Sequence, residues 1–145
     1  RASNTPGRTQ EINYFALGTK GYLVDLPGYG FAEAPLQKVA QWQELLRAYL
    51  AGRTTLARAF LLIDSRHGLK EVDHEYMALL DRSAVVFQVV LTKVDKPKKG
   101  VLDKSTRQVL EGLAKHPAAF PEVLTTSSET GSGIPELRAT LARLL

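Results

Sequence analysis

The chain has 145 residues, of which 44% are hydrophobic and 23% are charged, and this composition excludes an intrinsically disordered protein. It contains no cysteine, which excludes a disulfide framework and suits a reducing cytoplasm. No apolar run approaches the roughly 20 residues that a membrane span needs. Nineteen Lys and Arg against fifteen Asp and Glu give a net charge of +4, which permits contact with nucleic acid and is also common among ordinary cytoplasmic enzymes.

The first part of the chain predicts a hairpin followed by a helix. Residues 11–17 are rich in β-forming and aromatic side chains, a Gly-Thr-Lys-Gly turn covers 18–21, and residues 22–24 lead into a second turn at 25–28. Pro35 suits the first turn of a helix. The apolar residues of that helix recur at near-helical spacing, at Leu36, Val39, Leu46, Tyr49 and Leu50.

The remainder of the chain alternates between apolar runs and helical patterns. Residues 59–63 and 85–91 are typical of strands buried on both faces, and residues 123–124 form a shorter third strand. Three helices are predicted around these strands, over residues 71–82, 102–113 and 134–145. Their apolar faces are predicted at Val72, Tyr76, Leu79 and Leu80, then Leu102, Thr106, Val109, Leu110 and Leu113, and finally Ile134, Leu137, Leu141 and Leu145.

Strands and helices in this order predict a single α/β domain, in which a mostly parallel sheet carries helices on both faces. In such sheets ligands bind beside the carboxyl ends of the strands, so the loops that directly follow strands are the candidate sites. Each of these loops is polar or rich in glycine, and they cover residues 25–30, 64–68, 92–95 and 126–131.

The loop Thr92-Lys93-Val94-Asp95 suits recognition of guanine. A carboxylate can accept two hydrogen bonds from adjacent N–H groups, and guanine offers N1–H and an exocyclic amine, whereas adenine has no such pair of donors. The aliphatic stem of Lys93 can lie along the base plane. Taken alone, the motif is better explained as polar residues that solvate the end of a strand, because short motifs often occur by chance.

Three further segments allow related chemistry, and each also has a plain structural explanation. In Asp25-Leu26-Pro27-Gly28 the carboxylate can hold a Mg²⁺-bound water and the glycine N–H can reach a terminal phosphate, although Asp, Pro and Gly are also turn formers. Residues 127–131 can offer backbone N–H groups to a base carbonyl or simply begin the last helix. Thr9 can supply a hydroxyl to Mg²⁺, or residues 3–10 are an N-terminal tail.

The order of these segments argues against coincidence. They follow one another as do switch I, the Mg²⁺ and γ-phosphate loop, the guanine-reading loop and its companion loop in GTPases. The sequence then resembles the EngB (YihA) family of bacterial GTPases over essentially its whole length. The resemblance lies in Asn4–Gln10, Asp25–Gly30, Asp64–Leu69, Leu91–Lys96 and Ser127–Gly133, of which Pro-Gly-Arg-Thr-Gln and Asp-Ser-Arg-His-Gly-Leu are the most specific stretches.

This resemblance implies a Ras-like P-loop GTPase fold of the TrmE–Era–EngA–EngB group, which binds GTP and GDP with Mg²⁺ and hydrolyses GTP. It also implies action in assembly of the large ribosomal subunit, through that subunit or its rRNA, and an older assignment to division septum assembly. We expect a cytoplasmic monomer with no membrane contact. By position, the resemblance implies that nucleotide is contacted by Gly7, Arg8, Thr9, Gln10 and Glu11, and that Thr9 binds Mg²⁺. It places at the γ-phosphate Asp25, Leu26, Pro27 and Gly28. It assigns guanine recognition to Thr92, Lys93, Val94 and Asp95, and the rest of the base pocket to Thr126, Ser127 and Ser128.

One departure from the family pattern concerns the phosphate-binding loop. No G-x-x-x-x-G-K-[ST] sequence occurs in these 145 residues, although the family places it, with a strand and a helix, just upstream of the segment at 4–10. We therefore expect a partial domain that lacks the first strand, the loop and the first helix, and that alone binds nucleotide poorly and hydrolyses nothing. Because that strand lies centrally in a Ras-like sheet, two half-sheets are expected.

The second departure concerns catalysis. Ras-type enzymes place a water-orienting Gln directly after the glycine of the γ-phosphate loop, and here that position is Tyr29. No catalytic residue is therefore assigned. Arg66 and His67 follow a different strand, and shaping a loop or touching a partner explains them more simply than catalysis does.

Two other functions stay open. The first is a non-catalytic guanine-nucleotide-binding module that docks to the ribosome or the septation machinery. The second, a plain basic RNA-binding domain, is disfavoured because no exposed aromatic platform is expected. A basic cluster is either a solvated helix start or a surface that faces rRNA, and it comprises Lys93, Lys96, Lys98, Lys99, Lys104 and Arg107.

Overall fold

The computed structural model describes residues 12–26 and 36–145, with residues 36–39 and Trp42 described by their backbone only. The chain divides into two units, residues 1–53 with Leu145 and residues 54–144. Within the described residues, no helix combines the length and the hydropathy that crossing a membrane requires.

The first unit contains the predicted hairpin and helix. Strands β1 (Asn13–Leu17) and β2 (Gly21–Asp25) pair antiparallel, with Asn13 opposite Asp25 and Leu17 opposite Gly21. Gly18 has a φ of +59°, which a residue without a Cβ adopts easily, and this allows the tight turn between the strands. Helix α1 (Leu36–Leu50) buries Leu46, Tyr49 and Leu50, and the Tyr49 ring lies 6.4 Å from that of Tyr14 on the hairpin.

The hairpin exposes aromatic side chains. Tyr14 and Phe15 are about half exposed and Tyr22 is 67% exposed. Tyr14 and Tyr22 meet edge to face with their ring centroids 6.1 Å apart. The expectation that no aromatic platform is exposed is therefore wrong for this hairpin, because aromatic side chains point to both faces of the ribbon and stay partly exposed on each.

The second unit contains a three-stranded parallel sheet and three helices. Its strands are β3 (Ala59–Asp64), β4 (Phe87–Thr92) and β5 (Leu124–Thr125), in the order β3-β4-β5. Its helices are α2 (Glu71–Arg82), α3 (Lys99–Leu113) and α4 (Ile134–Arg143). Asp64 pairs with Thr92 and Leu91 with Thr125, so the three strands end at the same edge of the sheet. The predicted alternation of strands and helices is confirmed.

Burial in this sheet differs from strand to strand. In β4 every residue from Phe87 to Leu91 is at most 1% exposed, so both of its faces are covered, as predicted. In β3 one face is buried by Leu61 and Ile63, whereas Leu62 is 64% exposed. The prediction of a strand buried on both faces is therefore wrong for β3, which pairs only with β4 among the described strands.

Two of the helices show how local sequence sets their ends and faces. The Asp73 carboxylate accepts a hydrogen bond from the Lys70 backbone N–H at 2.8 Å and so satisfies a free donor where α2 begins. Burial in the middle of α2 raises the pKa of Tyr76 to about 12.

On α3, Val109 and Leu113 are buried as predicted, but Leu110 is 46% exposed, because neighbouring residues of a helix differ by about 100° in direction.

Candidate functional site

The described part of the chain contains nine of the residues expected to contact nucleotide. They are Asp25, Leu26, Thr92, Lys93, Val94, Asp95, Thr126, Ser127 and Ser128. The other expected positions lie outside the described residues, as does Tyr29, and they are Gly7, Arg8, Thr9, Gln10, Glu11, Pro27 and Gly28.

In the first unit, Asp25 is the last residue of β2, and it is exposed, while Leu26 is partly buried. An exposed carboxylate at a strand end is available to a ligand. Its place beside a γ-phosphate stays a prediction.

In the second unit, the structure brings residues 92–95 and 126–128 together. The Thr126 N–H donates to the Leu91 carbonyl at 2.8 Å, and the Val94 N–H donates to the Thr126 carbonyl at 3.2 Å. These bonds continue the β4–β5 ladder past the ends of the strands. The loop that follows β4 and the loop that follows β5 therefore lie side by side at the carboxyl edge of the sheet.

A side-chain hydrogen bond fixes the carboxylate of Asp95. Ser127 is fully buried, and its hydroxyl donates to Asp95 Oδ1 at 2.7 Å while accepting the Thr130 N–H at 3.2 Å. The Asp95 side chain is only 17% exposed. The Ser127 hydrogen bond lowers the pKa of Asp95, and the nearby Lys96 ammonium lowers it further. Asp95 is therefore an ionised, oriented hydrogen-bond acceptor at neutral pH.

Lys96 bridges the same two loops from the outside. Its Nζ lies 2.8 Å from Glu129 Oε2 and 3.4 Å from Asp95 Oδ2. The hydrogen bond to Glu129 raises the pKa of Lys96. Sequence reasoning missed this bridge, and the only available signal was that Glu129 lies within the segment at 127–133.

Lys93 has an unusual backbone conformation. Its φ is +57°, in the left-handed region that glycine favours, and its Nζ lies 3.5 Å from Asp64 Oδ2. The residue before it, Thr92, donates its hydroxyl to the Ile63 carbonyl at 3.3 Å. The end of β3 thus contacts the loop that follows β4, a contact that sequence reasoning did not foresee.

The described residues, 12–26 and 36–145, contain no group of three His, Cys, Asp or Glu side chains that could hold a metal ion. In nucleotide sites Mg²⁺ is bound largely by the phosphates together with a hydroxyl from the protein. The hydroxyl implied by the resemblance is that of Thr9, so Mg²⁺ binding stays a prediction.

We expect the substitution Ser127→Ala to raise the pKa of Asp95 toward its ordinary value, because it removes the hydrogen bond that does most to lower it. A carbon-detected NMR titration of the Asp95 carboxyl carbon measures this shift. Because the pKa of Asp95 is lowered in the folded state, its stabilisation is complete at neutral pH and is lost as the pH falls below the ordinary range of aspartate.

The matched control for this titration is Ser128→Ala. Ser128 is exposed and directly follows Ser127, so the substitution removes one hydroxyl without touching the bond to Asp95. The control is expected to leave the Asp95 titration unchanged. Equal titration curves for the wild type and Ser127→Ala would contradict the assigned cause of the lowered pKa.

Known protein families provide a first comparison. The model of a family described as 50S ribosome-binding GTPases matches residues 1–93 of this chain. The match covers the hairpin, α1, α2 and the strands up to Lys93.

Similar full sequences provide the second comparison. The chain is 65% identical over 144 residues to the probable GTP-binding protein EngB of Jannaschia sp. (strain CCS1), covering 99% of this chain and 66% of the relative. It is 64% identical over 144 residues to the protein of the same name from Ruegeria pomeroyi, again covering 99% and 66%. The chain thus spans about two-thirds of the length of these relatives.

Solved structures provide the third comparison, which concerns the fold alone. A crystal structure of a probable GTP-binding protein engB superposes with a TM-score of 0.71 at 18% identity, over 94% of this chain and 84% of that one. The elongation factor SelB of Methanococcus maripaludis, with the GTP analogue GPPNHP, superposes with a TM-score of 0.71 at 22% identity, over 96% of this chain and 29% of that one. The matching family model together with these superpositions shows the fold of the P-loop GTPases, and the relatives of the same name, one of them 62% identical with 67% of its length covered, show that the chain belongs to the EngB family of GTP-binding proteins.

Proposed function

We propose that the full-length protein binds GTP and GDP and hydrolyses GTP to GDP and phosphate, with Mg²⁺, as a cytoplasmic and monomeric switch in assembly of the large ribosomal subunit. The observation that carries the proposal is the Asp95 carboxylate, which Ser127 holds ionised and oriented where the loops after β4 and β5 meet. Family membership supports the GTPase class.

Guanine recognition in this proposal follows from the hydrogen-bonding capacity of Asp95. Ser127 donates to Oδ1 and the Lys96 ammonium lies 3.4 Å from Oδ2, and each oxygen has two lone pairs, so one acceptor site on each oxygen remains for two N–H donors. Charge-assisted hydrogen bonds of this kind are the stronger ones. Adenine presents no such donor pair, so the pocket discriminates against it.

The proposed ribosomal role is supported by the description of the matching family and by surface charge. Within the basic cluster, Lys93 and Lys96 each lie beside an acidic side chain. The remaining members are exposed on and just before α3, at Lys98, Lys99, Lys104 and Arg107. Such a surface suits a phosphate backbone. Participation in septum assembly is a further part of the proposal and rests on the family resemblance alone.

No catalytic residue is assigned for hydrolysis, and Tyr29 stands where Ras-type enzymes have Gln. The second candidate function is therefore a nucleotide-binding module that docks to the ribosome without turnover. Tyr29 is the specific observation that favours it.

We expect the full-length protein to bind fluorescent GDP, and unlabelled GDP but not ADP to displace the probe, because only guanine has the donor pair that suits Asp95. Phosphate release from GTP, measured with and without isolated large ribosomal subunits, then separates the two candidate functions. Turnover in either condition supports the enzyme, and binding without turnover supports the docking module. Displacement by ADP and GDP at equal concentrations would contradict both.

The 145 residues on their own are expected to bind GDP more weakly than micromolar and to hydrolyse no GTP. The physical reason is that no phosphate-loop sequence, which supplies backbone N–H groups, a Lys and a hydroxyl, occurs in them. Submicromolar binding by this chain alone would contradict the expectation.

A further inference from the structure

The segment Asp64-Ser65-Arg66 is specific to the resemblance, yet the proposed function gives it no role. It directly follows β3, at the edge of the sheet where the loops after β4 and β5 meet. Two of its side chains contact Lys93, which lies in the guanine-reading loop.

Lys93 needs to be held in place. Its φ of +57° brings Cβ close to the following carbonyl, so a lysine adopts this conformation only where surrounding contacts impose it. Its side chain is 56% exposed, and a long, exposed lysine samples many rotamers unless its ammonium is bound. The backbone and the side chain of Lys93 therefore each require a partner.

Ser65 supplies the partner for the backbone. It is fully buried, and its hydroxyl donates to the Lys93 carbonyl at 3.1 Å. Its own N–H donates to the Thr92 carbonyl at 3.0 Å, which extends the β3–β4 ladder by one residue. The buried hydroxyl thus reaches Lys93 from a rigid position.

Asp64 supplies the partner for the side chain. Its carboxylate lies 3.5 Å from Lys93 Nζ and is fixed by Arg66, which donates through Nε at 3.0 Å, through Nη2 at 2.7 Å and through its backbone N–H at 2.9 Å. These bonds hold the pKa of Asp64 well below its usual range. The carboxylate facing Lys93 is therefore charged and fixed in direction across the physiological pH range.

We propose that Asp64 and Ser65 are positioning residues for Lys93, and that by fixing it before nucleotide arrives they slow the release of guanine nucleotide. The inference rests on the proposed function of residues 92–95. A lysine whose stem is already aligned along the base plane loses less conformational freedom on binding than a free one. Such pre-organisation acts mainly on dissociation, because association is set by diffusion and orientation.

The test is the release rate of fluorescent GDP from the full-length protein, followed by stopped flow after mixing with excess unlabelled GDP. Asp64→Asn keeps the shape of the side chain and removes its charge. We expect release of GDP to become about two- to fivefold faster, because a partly exposed ion pair contributes only a modest interaction energy. Ser65→Ala is expected to act in the same direction. It also serves as a second variant should Asp64→Asn fail to fold by circular dichroism.

The matched control is Glu44→Gln. Glu44 and Arg47 form another carboxylate–arginine pair, at 2.6 Å on the exposed side of α1, so the substitution removes the same charge from a similar ion pair and leaves Lys93 untouched. Release is expected to be unchanged. An equal acceleration by Glu44→Gln would overturn the inference, because it would assign the effect to net charge.

A double-mutant cycle separates positioning from a general structural role. In a Lys93→Ala background, Asp64→Asn is expected to have no further effect on release, because the residue through which it acts is gone. A full effect in that background would overturn the inference. If Lys93→Ala and Asp95→Asn both leave GDP affinity unchanged, the proposed function fails and the inference with it. If they weaken binding while Asp64→Asn and Ser65→Ala do not, only the inference fails.

Discussion

Replacing Asp95 by asparagine in the full-length protein is expected to weaken GTP binding by about two orders of magnitude or more. The substitution removes a charged acceptor from two hydrogen bonds, each worth about 1.5–3 kcal/mol, and turns an amide N–H₂ toward a donor of guanine. Ser127 can still donate to the remaining carbonyl oxygen, so the loop geometry of the pocket is retained.

The same substitution is expected to improve binding of xanthosine triphosphate. Xanthine carries a carbonyl where guanine carries the exocyclic amine, so it pairs with an asparagine amide that offers one acceptor and one donor. Specificity therefore changes in a direction that a general loss of structure cannot produce, since unfolding weakens binding of both nucleotides.

Competition of GTP and xanthosine triphosphate against a fluorescent nucleotide measures this change. Asp103→Asn is the matched control, because it makes the identical chemical change at an exposed position of α3. We expect its nucleotide preference to equal that of the wild type. An unchanged preference for GTP in Asp95→Asn would count heavily against guanine recognition by this loop.

Elements with a strong local pattern could be predicted closely. Helix α2 runs from Glu71 to Arg82, as its apolar spacing predicts. The last strand is displaced by one residue, at Leu124–Thr125, and α4 ends at Arg143 rather than continuing to Leu145. Such ends depend on pairing with neighbouring strands and on the loss of hydrogen bonds at termini, which the local sequence does not encode.

The order of the strands in the sheet could not be predicted from local sequence. The apolar runs that became β3 and β4 look alike, yet β4 is covered on both faces and Leu62 of β3 is 64% exposed. The difference comes from the order β3-β4-β5, which places β4 in the middle. That order is a property of long-range pairing and not of either run.

For the candidate site, linear motifs gave the loops but not the contacts between them. The bond between Ser127 and Asp95 and the contact between Asp64 and Lys93 each join residues about thirty positions apart, so they follow from sheet register. The left-handed conformation of Lys93 could not be predicted either, because a lysine, unlike a glycine, does not indicate a positive φ in a sequence.

Replacing Gly133 by alanine is expected to destabilise the second unit by about 3 kcal/mol or more, at the upper end for a single substitution. Gly133 is the residue directly before α4 and has a φ of +75°, and a Cβ there would collide with the Thr125 carbonyl oxygen and lie 3.3 Å from Thr126 Cα. Relief requires that α4 move away from the end of β5 or that the loop beginning at Thr126 shift, so guanine binding is expected to weaken as well.

Gly131 offers a matched control two residues away. Its φ is +81°, so alanine meets the same left-handed backbone there, but a Cβ would have no heavy atom within 4 Å. Gly131→Ala is therefore expected to lower the free energy of unfolding only by the strain of the left-handed backbone, about 1–2 kcal/mol. The difference between the two variants isolates the close approach of α4 to β5.

Urea unfolding followed by circular dichroism gives the free energy of unfolding of the wild type and both variants, provided that the m-values agree. We expect the order wild type, Gly131→Ala, Gly133→Ala from most to least stable. Equal losses in the two variants would show that the backbone conformation alone matters and that the packing of α4 against Thr125 is loose. A larger loss of unfolding free energy in Gly133→Ala, together with faster release of GDP, would show that the position of α4 affects the geometry of the base pocket.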